Sequence, residues 1–174
     1  MHKKHGFGEN LREIIFGVED GAIGNLGVVV GMAQALAPNK LILLAGVATM
    51  FAQAISMSAG NYLSVKSEKE YFEVKKKGRG YGRKYSEHKN PVVSSLVMAF
   101  SVIFGAGIPL IAFLFWESKA AIVPATIMTL FGLFFLGVGK SRFTEKSMIK
   151  SGLEILFIGI IAALAGYLIG NLFA

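Results

Sequence analysis

The stretch Ile14-Ile15-Phe16-Gly17-Val18-Glu19-Asp20-Gly21-Ala22-Ile23-Gly24-Asn25-Leu26-Gly27-Val28-Val29-Val30-Gly31 decides how the chain is read. It is apolar enough to enter a bilayer, yet two carboxylates sit side by side within it. A charged side chain at the centre of a membrane costs about 2.5–3.5 kcal/mol even on lenient insertion scales, so it is taken as functional by default. On a helix, consecutive side chains point about 100° apart. Asp20 shares its stripe with Gly24, Gly27 and Gly31, where missing side chains let another helix come close. Asp20 is therefore expected to face a tight helix–helix seam. Glu19 shares its stripe with Phe16, Ile23 and Leu26, and is expected to face a second seam or a watery vestibule nearer the cytoplasm. The plainer alternative puts both acids near a helix end, reaching the interface.

Working outward, the chain of 174 residues is 53% hydrophobic, a membrane composition. Apolar spans cover about residues 11–36, 41–65, 91–116, 120–138 and 148–173. Each has about the 20 residues a bilayer requires. Backbone groups in lipid must pair within their own segment, so all five spans are read as helices. The expected fold class is an all-α membrane protein: one domain, 11–174, after a short polar tail, 1–10, with a basic loop at 66–90. Pro38-Asn39 and Glu117-Ser118-Lys119 make turns. Gly105, Gly107 and Pro109 mark a kinked third span and Pro124 does the same for the fourth, so both look structural.

Of the 18 lysines and arginines, all but Lys40 and Lys119 fall in the tail, at the start of the first span, or in the loops after the second and fourth spans. The positive-inside rule then puts the N-terminus in the cytoplasm and the C-terminus outside. The net charge of +7 is thereby explained as topology and attraction to anionic lipid, not as nucleic-acid binding. Tyr81 and Tyr85 are too few to argue for base stacking. The absence of cysteine excludes disulfides and thiolate metal sites. His2, His5 and His88 all lie outside the spans, so no histidine cluster of a membrane oxygenase is available and no enzyme is expected. The short chain, without a targeting extension, points to a prokaryotic cell membrane.

In the second span, Thr49, Gln53, Met57 and Asn61 recur every four residues, and Ser64 and Glu68 extend this polar stripe. It reads either as a pathway or as helix-to-helix hydrogen bonding with Met57 as gap filler. Glu154, one turn inside the fifth span, either lines the pathway's mouth or pairs with Lys150. Asp20 and Met57 together offer a hard anionic and a soft neutral ligand, which suits Fe²⁺ or Mn²⁺ better than Mg²⁺ or Ca²⁺. Low dielectric disfavours the charged form of a carboxyl, so such a group can exchange H⁺ for a metal ion in one place.

Several segments, in order, resemble the vacuolar iron transporter family. They are Arg12-Glu13-Ile14-Ile15-Phe16-Gly17 leading to Asp20-Gly21, and Ala54-Ile55-Ser56-Met57 with Gly60, Tyr62-Leu63 and Ser67-Glu68. Asn90-Pro91, Ala99-Phe100, Gly105 and Ile108-Pro109-Leu110 follow, then Gly139-Lys140, Ser151-Gly152-Leu153, Ile158-Gly159, Ala162-Ala163 and Tyr167-Leu168-Ile169-Gly170. The resemblance implies a homodimer of five-helix subunits with the metal path along the dimer interface. It implies proton-coupled movement of Fe²⁺, often Mn²⁺, out of the cytoplasm, with Asp20 and Met57 as metal ligands and no permanently bound cofactor. Glu19, Gln53, Asn61, Glu68 and Glu154 are the further pathway candidates. Two departures stand out. Thr49 occupies a position where some members carry a glutamate. The connection from Lys66 to Asn90 is short and mostly basic, where family members such as the plant transporters insert a metal-collecting helical domain. Its acids are Glu68, Glu70, Glu73 and Glu87. Either a separate protein delivers the ion, or the pore takes it directly.

Overall fold

The computed structural model describes residues 10–76, 89–144 and 147–174. Its elements are α1 (Leu11–Gln34), α2 (Asn39–Lys76), α3 (Pro91–Phe115), α4 (Lys119–Thr144) and α5 (Met148–Leu172). All five are long and apolar enough to cross a membrane, matching the expected spans in number and order. His2, His5, Tyr81, Tyr85, Glu87 and His88 lie outside the described residues.

Local chemistry sets the helix ends. α1 stops at Gln34, and Leu36 then takes a left-handed φ of 61° just before Pro38. α3 opens on Pro91, whose missing N–H costs nothing in a first turn. The Asn90 side chain caps it, accepting from the Val92 amide at 2.9 Å. α2 differs most from expectation. It runs past residue 65 to Lys76, 38 residues in all, through part of the stretch expected as loop. No glycine or proline interrupts residues 61–76, and Lys66 lies 3.9 Å from Glu70 one turn on. Hydropathy marks where lipid ends, not where a helix must. α4 likewise continues beyond 138 and carries Lys140 and Arg142 on its last turns.

α1 lies at the centre and packs against all four other helices. Among the described residues, α2 touches α1 and α3, and α5 touches α1 and α4. Leu26, Val29, Val30 and Ala33 of α1 join Ile42 and Phe113 in the main core. The α1–α3 seam is close because Gly17, Gly21 and Gly105 present bare backbone. A Cβ on Gly17 would stand 3.1 Å from the Met98 carbonyl oxygen. Two side chains tie the connections at the far end together: Asn39 Nδ2 donates to the Phe113 carbonyl at 2.8 Å, and Ser118 Oγ to the Ala37 carbonyl at 3.4 Å. Outward faces carry large apolar side chains, with Phe100 70% and Phe104 68% exposed. A continuous greasy exterior of this kind fits lipid rather than water.

Candidate functional site

Asp20 and Glu19 are both half-buried on α1, midway between full exposure and the core. Beyond Asp20 along α1, the glycines of its stripe meet different helices. Gly24 meets the side chain of Gln53 on α2. Gly27 and Gly31 approach α5 backbone to backbone: a Cβ on Gly166 would lie 2.6 Å from the Gly27 carbonyl oxygen. Two glycines of the stripe, Gly27 and Gly31, therefore make a tight seam with α5, while Gly24 faces α2. Asp20 itself stays partly open, one turn before Gly24, where an apolar groove of about 620 Å³ begins whose walls include Gly24, Gly27, Gly31, Ala162 and Gly166.

The Gly24–Gln53 contact fixes the register of two antiparallel helices. Asp20 lies one turn before Gly24 on α1, and Met57 lies one turn after Gln53 on α2. Both are displaced in the same direction, toward the end of the bundle where α1 begins, so acid and thioether share one depth. Met57 is partly buried against Ala54, Met98 and Val102. Gly17 and Gly21, on either side of Asp20 in sequence, meet α3 at Met98 to Ala106, which is the same level. Gln53 adds an oxygen: its Oε1 is buried and has no hydrogen-bond partner among the described residues. A buried carbonyl oxygen without a donor is an unsatisfied acceptor, costly unless something electropositive visits it.

The remaining candidates separate. Asn61 is buried and its Nδ2 donates to Ser94 Oγ on α3 at 2.8 Å, the helix-to-helix bond that was the alternative reading of its stripe. Glu68 is exposed on the projecting end of α2. Glu154 is exposed on α5 and close enough to Glu19 for its charge to be felt there, as is that of Lys140 on α4. Glu19 thus belongs to an α1–α4–α5 face, distinct from the face bearing Gln53 and Met57. Among the described residues no three His, Cys, Asp or Glu side chains gather into a metal cage.

Two of the fully buried polar residues, Glu13 and Asn25, are not among the candidates read from the sequence. Glu13 is fully buried and bonded to Lys89 at 2.6 Å. Asn25 is fully buried and its Nδ2 donates to the Ala106 carbonyl at 2.7 Å, one turn before Pro109. Both were discoverable in principle, because Glu13, Gly17 and Gly21 form one stripe at four-residue spacing.

Four lipid-compatible helices around a central fifth that carries half-buried acids define a polytopic integral membrane protein with polar groups on its inner faces. The chain belongs to the VIT family, whose family model matches residues 11–80 and 76–171. It is 29% identical to vacuolar iron transporter 1 of Arabidopsis thaliana, covering 92% of this chain and 84% of that protein. It is 29% identical to the vacuolar iron transporter of Centaurea cyanus, covering 95% and 89%. An uncharacterised protein of Methanocaldococcus jannaschii is 27% identical, covering 93% and 89%. The Arabidopsis alignment extends over 211 positions, more than this chain has residues, whereas the archaeal one extends over 171. The plant protein therefore carries residues that this chain lacks, and the family match breaks into two pieces at 76–80.

Proposed function

We propose that this protein exports Fe²⁺ or Mn²⁺ from the cytoplasm in exchange for protons, as a homodimer with the ion path between subunits. Asp20 and Met57 are the ligands in this reading, with Gln53 Oε1 as a neutral oxygen beside them. The observation that carries it is the shared depth of Asp20 and Met57, set by the Gly24–Gln53 contact. A carboxylate, a thioether and an amide oxygen together favour borderline divalent ions.

The dimer follows from energetics. A half-open carboxylate facing lipid would cost about 2.5–3.5 kcal/mol. A second copy related by a two-fold axis covers it and supplies a second Asp20 and Met57. That doubles a donor set which is sparse in one chain. The names of the plant relatives support iron as cargo. The plant alignment, 211 positions long against 174 residues here, together with the split of the family match at 76–80, supports a pore that works without a built-in metal-collecting domain.

The test is flux through purified protein in liposomes under an imposed pH gradient. With the lumen acidic at the start, Fe²⁺ and Mn²⁺ uptake should follow the gradient and alkalinise the lumen in step, because protons leave as the metal enters. Asp20→Asn should abolish flux while leaving the folded dimer intact. Flux unchanged in Asp20→Asn would overturn the mechanism. A competition series over Mn²⁺, Fe²⁺, Co²⁺, Zn²⁺ and Ca²⁺ distinguishes this from transport of another divalent ion.

A further inference from the structure

Glu13 is the one carboxylate in the described residues with no exposed surface at all. Its Oε1 takes a short, charge-assisted bond of 2.6 Å from Lys89 Nζ, while its Oε2 is buried without any partner. A buried ion pair holds its ground only when the remaining lone pairs are satisfied. Here half of the carboxylate is not. Lys89 is the looser member: its side chain is 17% exposed, and it precedes α3 rather than lying within a helix. Its path back to solvent is short.

The surroundings supply oxygen. α1 and α3 run parallel, and Gly17 meets Met98 and Ser101 while Gly21 meets Val102 and Ala106. One turn earlier on each helix, Glu13 comes level with Ser94. Ser94 is fully buried and holds Asn61 of α2 at 2.8 Å. Three helices thus bring a carboxylate, a hydroxyl and an amide to one buried level, at the end of the bundle where α1 begins.

We propose that Glu13 is a second cation site, in which Lys89 is an internal stand-in for a divalent cation. The arriving ion displaces the Lys89 ammonium, which swings to solvent, and takes both carboxylate oxygens. Ser94 and Asn61 offer neutral oxygens at the same level. Oxygen donors of this kind bind Mn²⁺ without demanding a soft ligand. Lys89 sets the affinity: it keeps the site neutral when empty and competes with the ion when the ion arrives. The deep site at Asp20 lies two turns further along α1. The inference rests on the transport reading only for the biological identity of the cation.

The test uses the full chain in detergent with Asp20→Asn as background, so that the deep site is absent and its failure cannot be confused with this one. Mn²⁺ alone is the probe, followed by electron paramagnetic resonance titration and by thermal unfolding. Adding Lys89→Leu should tighten Mn²⁺ binding at least tenfold and make the unfolding temperature rise with Mn²⁺. Adding Glu13→Gln to that variant should abolish both effects. No gain in Lys89→Leu, or a gain that survives Glu13→Gln, would overturn the proposal and leave a purely structural ion pair. Should Lys89→Leu not fold, Lys89→Arg in the Asp20→Asn background decides. The guanidinium fork can engage both oxygens at once, so Mn²⁺ binding should weaken about tenfold. Binding equal to the parent's would count against the site.

Discussion

Replacing Gly166 by alanine should separate α1 from α5 and disable the protein, although it adds a single methyl group. The added Cβ would lie 2.6 Å from the Gly27 carbonyl oxygen and 3.0 Å from the Gly27 Cα. Both neighbours are backbone, so neither can rotate away. Ordinary contact begins near 3.4 Å, so the helices must part by about 0.8 Å. Overpacking of this kind costs about 1–3 kcal/mol. At this chain length, 1 kcal/mol moves the unfolding temperature by about 2–4 °C, which sets an expected drop of about 2–12 °C. The backbone is not the cause, since no glycine described here has positive φ. Gly139→Ala is the matched control. It sits on α4 with nothing within 4 Å of the added methyl, and alanine's helix propensity should make it neutral or stabilising by up to about 1 kcal/mol. Thermal unfolding in detergent and metal flux in liposomes would be compared for the two variants. Equal stability and equal flux would refute the claim that backbone contact holds the α1–α5 seam.

Other expectations follow from single contacts. Met57→Leu conserves volume, so stability should fall by less than about 1.5 kcal/mol. Loss of the thioether should nevertheless reduce discrimination of Fe²⁺ over Ca²⁺ in a flux competition. Asn61→Leu removes the 2.8 Å bond to the buried Ser94 hydroxyl and should cost about 1–3 kcal/mol in unfolding experiments. If Asn61 serves only in that bond, flux per folded protein should be close to normal. Asn90→Ala removes the α3 cap and should cost about 0.5–2 kcal/mol, read as a lower unfolding temperature.

The five helices were legible because lipid imposes a single rule, a run of about 20 apolar residues, on every span. The polar end of α2 was not, because leaving the bilayer removes the hydropathy signal while helix propensity continues to Lys76. Asp20, Gln53 and Met57 stood out as polar or polarizable groups in greasy surroundings. Their common depth did not, since it depends on one contact between helices, Gly24 against Gln53. Asn61 was readable as a polar residue, but only its partner on α3 separates a structural bond from a pathway position. Glu13 was legible as part of a motif but not as a buried group, for the opposite reason. Beside Arg12 at the edge of a span it reads as an ordinary interfacial acid, and what buries it is a lysine 76 positions away.

The length of α2 has a mechanical corollary. At 1.5 Å per residue, Met57 lies about 6 Å along the axis from Gln53, and Lys76 lies about 35 Å from it. A swing of about 10° pivoting at the Gly24–Gln53 touch would shift the sulfur by only about 1 Å while sweeping the far tip through about 6 Å. Small movements at the level of Met57 are thereby geared up about sixfold at the Lys76 end. Anything gripping that end would, by the same leverage, nudge the thioether with fine control.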